Sequence, residues 1–388
     1  MSSGDRNLHP WQQSAIDYFM KHGHCIIQAA TGTGKTFLAL HIIQRVFRDD
    51  SEIRVLVVVP KNVIIDSWYT ELSSVFSLPD IGVYYGDIKE KSRITITNMQ
   101  NIEFVGFNDF DFVIFDELHN YTSRRLESFL QREKTYKLGL TATLSKEKEV
   151  PWNILRHFYY NIYNYDIHSA VEDDILASFR FYNVSMELPD TDFDKYQDNE
   201  RKLHFHKVVS KNEDSVPSKE QKYSALNVRK EILGNNDAKL DVFDNLVQRG
   251  LLSDRKLIIF NELNKFAMPC YWKLTELGFR PCIFHTGISK QSRYDNLELY
   301  RQGVYDTIIT TRALDEGYNL PQIDAAVIMC GGNNSRQLVQ RAGRVLRKKN
   351  RSAEIYQVFF RETIEEEYAM KNYEKMRQSC EQFYRIDI

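Results

Sequence analysis

Ala29-Ala30-Thr31-Gly32-Thr33-Gly34-Lys35-Thr36 is the stretch around which the rest of the chain is organised. Cys25-Ile26-Ile27 precedes it as a short apolar run, and Phe37-Leu38-Ala39-Leu40-His41-Ile42-Ile43 follows with helical spacing. A strand, a glycine-rich turn and a helix start, in that order, form the context a phosphate-binding loop requires. The glycines let successive backbone N–H groups turn inward onto phosphate oxygens. The helix start adds partial positive charge at the same place. In such a loop Lys35 would reach the β and γ phosphates and the Thr36 hydroxyl would ligate Mg²⁺. Ala29 stands where a first glycine is usual.

Working outward, 388 residues exceed what one core supports and suggest two or three domains. Apolar residues make up 43 %, enough for globular folding throughout. The net charge of −2 gives no global field for a polyanion, so a nucleic-acid site has to be a local patch. Cys25, Cys270, Cys282, Cys330 and Cys380 are scattered without a C-x-x-C pair, which disfavours both zinc and a disulfide framework. The N-terminus lacks a basic and apolar leader, and no apolar run is long enough to span a bilayer. These features lead us to expect a soluble intracellular protein with no membrane partner.

Upstream of the loop, Gln12 stands at the start of an amphipathic helix over 13–20. A Gln amide pairs with a donor and an acceptor at once, as adenine presents them; a solvated Gln at a helix start is the plainer alternative. Downstream, Val55-Leu56-Val57-Val58-Val59 reads as a strand buried on both faces, closed by Pro60-Lys61, with helical spacing over 62–76. Segments 82–85 and 93–97 read as further strands. Phe112-Val113-Ile114-Phe115 is another, and Asp116-Glu117-Leu118-His119 follows at once. Two acids at the carboxyl end of a strand beyond a phosphate loop suit a nucleotide hydrolase. Asp116 would hold Mg²⁺ through water, and Glu117 would orient and deprotonate the attacking water. His119, with Thr141 and Thr143 after the strand 138–140, would couple that site to its surroundings.

The first α/β unit is expected to span 1–165. Residues 166–250 read as a linker and polar, helical insertion leading into the second domain. There Lys202, His204, His206 and Lys207 flank Phe205, a cluster that suits either a solvated helix face or nucleic acid. Strands of buried type return at 257–260, 282–284, 307–310 and 325–329, alternating with helices, so 251–360 reads as a second parallel, doubly wound unit. Residues 361–388 read as a charged helical tail. In Gln337 to Arg347, Arg341, Arg344 and Arg347 recur at helical spacing and project from one face, as arginine fingers do when they stabilise transition-state charge.

Taken together, Gln12, Ala29 to Thr36, Asp116-Glu117-Leu118-His119, Thr141-Ala142-Thr143, the segment 310–321 and Gln340-Arg341-Ala342-Gly343-Arg344 resemble a superfamily 2 helicase or translocase of DExH type. Leu-Asp-Glu-Gly-x-x-Leu-Pro at 314–321 and Gln-Arg-x-Gly-Arg-x-Leu-Arg at 340–347 look most like the branch holding XPB-type DNA helicases, phage UvsW-like branch-migration helicases and restriction motor subunits. The resemblance implies an α/β chain of two tandem RecA-like domains of P-loop NTPase type, each a mostly parallel sheet covered by helices, with ATP and Mg²⁺ in the cleft between them. It implies that Gln12 reads adenine, that Gly317 lies near the nucleotide, and that Gln340, Arg341 and Arg344 act in catalysis. Pro60, Lys61, Thr97, Thr286, Gly287, Thr310 and Thr311 fall where the family grips the sugar-phosphate backbone. The expected activity is ATP-driven movement on single-stranded, forked or branched DNA, by a monomer with partners in repair, recombination or replication. An RNA helicase and a motor that translocates without separating strands remain alternatives; a nuclease lacks a second acidic cluster. Leu118 and Asn319 depart from the family's usual Ala and Asp.

Overall fold

A computed structural model describes residues 7–121, 129–142, 152–209, 219–311, 320–329 and 352–388. The chain divides into two compact units, the first running to Leu176 and the second starting at Ala177.

The first unit opens with α1 (Pro10–His22), β1 (His24–Ala29), α2 (Lys35–Asp49), β2 (Val55–Val59) and α3 (Asn62–Ser73). Next come β3 (Ile81–Tyr85), β4 (Ile88–Lys89), β5 (Ile94–Asn98), β6 (Phe112–Phe115) and β7 (Tyr136–Thr141). It closes with α4 (Trp152–Leu155), β8 (Ile162–Tyr165) and α5 (Ile167–Glu172). The strands form one sheet in the order β4-β3-β5-β2-β6-β7-β1-β8. Only the β3–β4 pair is antiparallel. A parallel sheet carries helices on both faces, which is why β2 is apolar and buried at all its positions. Pro10 starts α1, where its missing N–H costs nothing, and Gly23 at φ 69° stops it. Under one face of the sheet Ile26, Val58, Phe115, Leu118, Phe129 and Phe158 pack into a core. Gly139 on β7 admits this packing, since a Cβ there would lie 2.7 Å from Leu118 Cδ2.

The second unit contains β9 (Phe179–Met186), α6 (Asp190–Val209), α7 (Lys219–Gly234), α8 (Asp241–Gln248), β10 (Leu257–Phe260), α9 (Ala267–Glu276) and β11 (Pro281–Phe284). It continues with α10 (Lys290–Arg301), β12 (Thr307–Thr310), β13 (Ala325–Ile328), β14 (Ala353–Phe360), α11 (Ile364–Met376) and β15 (Gln382–Asp387). Its sheet runs β11-β12-β10-β13-β14-β9-β15. All six pairings are parallel. Tyr182, Tyr356, Val327, Ile259, Phe243 and Leu274 belong to its main core. Within that core Lys239, with no exposure, donates to Glu365 Oε1 and Oε2 at 2.8 and 2.9 Å and to the Met329 carbonyl at 2.8 Å.

Three boundaries differ from the sequence reading. The first unit extends past 165 through α5. Residues 179–186, inside the stretch read as linker and insertion although 184–188 could be a strand, form β9 and pair along their whole length with β14. The expected helical tail holds α11 but ends in β15, which pairs with β9. Burial explains the last miss: β15 is exposed at most positions, so it lacks an apolar pattern. Among the described residues no helix is long and apolar enough to cross a membrane.

Candidate active site

The loop after β1 is held from inside the first unit. Gly34 caps α2 at φ 90°, ψ 38°, a left-handed conformation that favours glycine. A Cβ at Gly34 would also come within 2.9 Å of Gln12 Nε2. Gln12 is 1 % exposed, accepts the His9 N–H on Oε1 at 2.9 Å, and donates through Nε2 to the Thr33 and Gly34 carbonyls at 3.4 and 3.3 Å. Expected to read adenine, Gln12 here braces the loop with both of its N–H groups; a lone pair on Oε1 is what its amide has left for a base. Lys35 Nζ donates to the carbonyls of Ala29 and Ala30 at 2.9 and 3.4 Å, so its ammonium is folded back onto the end of β1. Thr33 Oγ1 donates to the Ala30 carbonyl at 2.8 Å. Thr31 Oγ1 is buried without a hydrogen bond, and Gly32 is exposed at the turn.

Asp116 and Glu117 follow β6, two strands away from β1 in the sheet. The Asp116 carboxylate accepts the Trp68 indole N–H on Oδ2 at 2.8 Å and the Glu117 N–H on Oδ1 at 2.9 Å. Burial, and then the Glu117 charge, push its carboxyl up to about 6, against the opposing pull of the Trp68 bond and of Lys35. The pull from Lys35 puts the phosphate-loop ammonium within electrostatic reach of the acid pair. Glu117 adopts φ 49°, a strained left-handed backbone for a non-glycine residue. Its Oε2 is buried and makes no hydrogen bond. His119 Nδ1 stands 3.4 Å from that oxygen and 3.0 Å from Thr141 Oγ1 at the end of β7. The structure thus links Thr141 to Glu117 through His119.

Thr36 and Asp116 offer one hydroxyl and one carboxylate, hard oxygen donors of the kind Mg²⁺ takes. Among the described residues no group of three or more His, Cys, Asp or Glu could cage a metal. Such a sparse donor set fits an ion whose remaining ligands are phosphate oxygens and water.

The residues expected on nucleic acid separate into two groups. Lys61 is exposed and Pro60 half-buried at the carboxyl end of β2. Thr286 and Gly287 are exposed after β11. Thr97 and Thr310, in contrast, have no exposure, and Thr97 Oγ1 donates to the Tyr84 carbonyl at 2.8 Å. These two hydroxyls belong to the strands and are not presented to a backbone. Thr311 is buried, and its hydroxyl donates to Asn264 Oδ1 at 2.8 Å while Asn264 Nδ2 reaches Thr286 Oγ1 at 3.5 Å. Asn264 and Trp68 were not singled out in the sequence; both act through side-chain contacts between distant segments, which no local motif announces. On α6, Lys202, His204 and Phe205 are exposed. Gly317, Gln340, Arg341, Arg344 and Thr143 lie outside the described residues.

The family model for the type III restriction enzyme res subunit matches residues 5–146, and that for the helicase conserved C-terminal domain matches 238–349. The chain is 25 % identical over 386 residues to the DNA 3'-5' translocase XPB2 of Sulfurisphaera tokodaii, covering 92 % of this chain and 82 % of that one. It is 24 % identical over 382 residues to the DNA 3'-5' helicase XPB of Kineococcus radiotolerans, covering 93 % of this chain and 61 % of that protein. The helicase domain of Pyrococcus furiosus Hef shares the fold, with a TM-score of 0.62 at 15 % identity, over 94 % of this chain and 98 % of that one.

Proposed function

This chain belongs to the superfamily 2 helicases and translocases, on the branch of the XPB enzymes, and from that premise we propose that it hydrolyses ATP to move along DNA. The observation that supports the chemistry is the buried Oε2 of Glu117, 3.4 Å from His119 Nδ1, beside an Asp116 held by two donors, in the same sheet as a loop whose lysine donates to its own backbone carbonyls.

Lys35 exchanges the Ala29 and Ala30 carbonyls for phosphate oxygens when a nucleotide binds. Thr36 directly and Asp116 through water would hold Mg²⁺, which when bound would neutralise phosphate charge. Trp68 keeps the Asp116 carboxylate in its rotamer. Glu117 Oε2 accepts a hydrogen bond from the attacking water and takes its proton. His119 and Thr141 form the route by which that proton state reaches the end of β7. Arg341 and Arg344 would supply positive charge to the transition state and Gln340 a neutral amide beside them, while Gly317 would serve the nucleotide and Thr143 its coupling path. Pro60, Lys61, Thr286, Gly287 and Thr311, with Thr286 and Thr311 steadied by Asn264, contact the sugar-phosphate backbone without reading sequence. The names of the XPB relatives favour DNA over RNA. Forks and branched junctions are the substrates proposed for strand separation.

Steady-state ATPase with single-stranded DNA, forked DNA and single-stranded RNA tests this reading. DNA is expected to raise kcat; stimulation by no polynucleotide would sink the motor, and stimulation by RNA alone would change its track.

A further inference from the structure

The amino end of the first sheet carries a surface that the nucleotide chemistry leaves unused. β1 starts there at His24 and β8 at Ile162, while the phosphate loop leaves β1 at its far end. Six residues of strand separate the two places, roughly 17–20 Å. Residues 18–24 and 152–164 build this surface, and neither stretch contains an Asp or Glu in a chain that has 53 of them. Tyr159 stacks on His24 with ring centroids 5.2 Å apart. Tyr18 lies 4.5 Å from His22 and 5.7 Å from Tyr163. Lys21 and Arg156 are exposed beside these rings, and Lys137 neighbours His24 in the sheet register. Glu133 is the carboxylate that acts on Lys137.

The backbone at this surface is strained in a way that preserves rings. Tyr159 and Tyr160 take φ 53° and 58°, consecutive left-handed residues that are not glycine. Each costs roughly 1–2 kcal/mol that Gly would avoid. Yet they are 67 % and 54 % exposed, so packing alone does not account for large side chains here. The Arg156 and Leu155 carbonyls accept their N–H groups at 3.0 and 3.2 Å, and Asn161 Nδ2 donates to the His24 carbonyl at 2.9 Å. The rings are therefore carried on a fixed turn.

We infer that this face is a second contact for single-stranded nucleic acid, with bases stacking on Tyr159 and Tyr160 and phosphates meeting Lys21 and Arg156. Exposed aromatic faces interleaved with cations are what a stacking platform needs. A protein-docking face has an apolar centre, whereas this one holds His22, His24 and Asn161. The inference takes from the motor reading only the choice of a polynucleotide.

Tyr159→Gly/Tyr160→Gly tests it, because glycine accepts the left-handed backbone and the variant is expected to melt no lower than wild type. Its affinity for an oligothymidine of about 40 nucleotides is expected to fall roughly tenfold, and that for one of about 10 nucleotides to stay unchanged. Tyr160→Phe keeps wild-type affinity. A bromodeoxyuridine oligonucleotide, irradiated on the wild-type protein, is expected to cross-link within 152–164. Unchanged affinity for the long oligonucleotide with no cross-link there overturns the inference, and DNA-stimulated ATPase in the same samples leaves the motor reading standing. Lost self-association with intact DNA binding also overturns it and assigns the face to protein. A cross-link in 152–164 without any stimulated ATPase keeps the contact and sinks the motor.

Discussion

The Trp68 indole N–H donates to Asp116 Oδ2 at 2.8 Å, tying the middle of α3 to the acid that follows β6. Trp68 is 1 % exposed, so no water replaces that bond. Trp68→Phe keeps an aromatic ring and deletes the donor. Leaving the buried carboxylate short of a partner costs roughly 1–3 kcal/mol. We expect a lower melting temperature and a DNA-stimulated kcat reduced several-fold, with a smaller change in KM for ATP. Steady-state ATPase and thermal unfolding read both; unchanged values would show the indole contact to be idle.

Asp116 carries a second consequence through pH. Its folded carboxyl, at about 6, lies above the ordinary 3.8. A carboxyl raised on folding destabilises the protein when ionised, so its penalty is full above about pH 6 and fades as the pH falls toward about 4. In EDTA, Asp116→Asn is expected to melt above wild type near neutral pH and to lose that advantage through this window. A pH-independent gap would contradict the assignment.

Removing either end of the reaction is expected to give different losses. Lys35→Ala should abolish hydrolysis and weaken ATP, because the loop loses its one ammonium. Glu117→Gln should abolish hydrolysis while retaining ATP, since the amide still accepts from water but takes no proton. Fluorescent-nucleotide binding beside ATPase separates the two; equal nucleotide loss in both would contradict the assigned roles.

Gly34 is expected to tolerate no side chain. Gly34→Ala meets Gln12 Nε2 at 2.9 Å and a φ of 90°. The backbone alone costs roughly 1–2 kcal/mol. Gly34→Ala/Gln12→Ala removes the collision and keeps the strain, so nucleotide affinity should recover only in part.

Sequence showed most clearly what was contiguous. The apolar runs of β1, β2 and β6 and the loop at 29–36 are local patterns that a parallel sheet forces onto buried strands. β8 is half exposed, and its Ile162-Tyr163-Asn164-Tyr165 gave no such pattern. Trp68 and Asn264 carry no local signal, because their partners Asp116, Thr286 and Thr311 are far away in the chain. Thr97 and Thr310 stand where the resemblance implies a grip on the sugar-phosphate backbone, yet full burial turns both inward.

In the second unit, the fully buried Lys239–Glu365 pair should show the asymmetry of buried ions. Lys239→Met leaves the buried carboxylate without its counter-ion, though still bonded to the Phe360 N–H at 3.1 Å, and is expected to cost about 3–5 kcal/mol, whereas Lys239→Met/Glu365→Leu should recover most of that. Denaturant unfolding of the single and double variants measures it. Equal losses would mean that the ammonium's bond to the Met329 carbonyl dominates.

β9 lies between β14 and β15, pairing Phe179 with Ala353 and Arg180 with Gln382. On the ribosome, then, this strand emerges long before either neighbour has been translated. Until β14 and β15 have left the exit tunnel, its apolar flanks need a chaperone or wait exposed, so the half-made chain is the stage most open to aggregation.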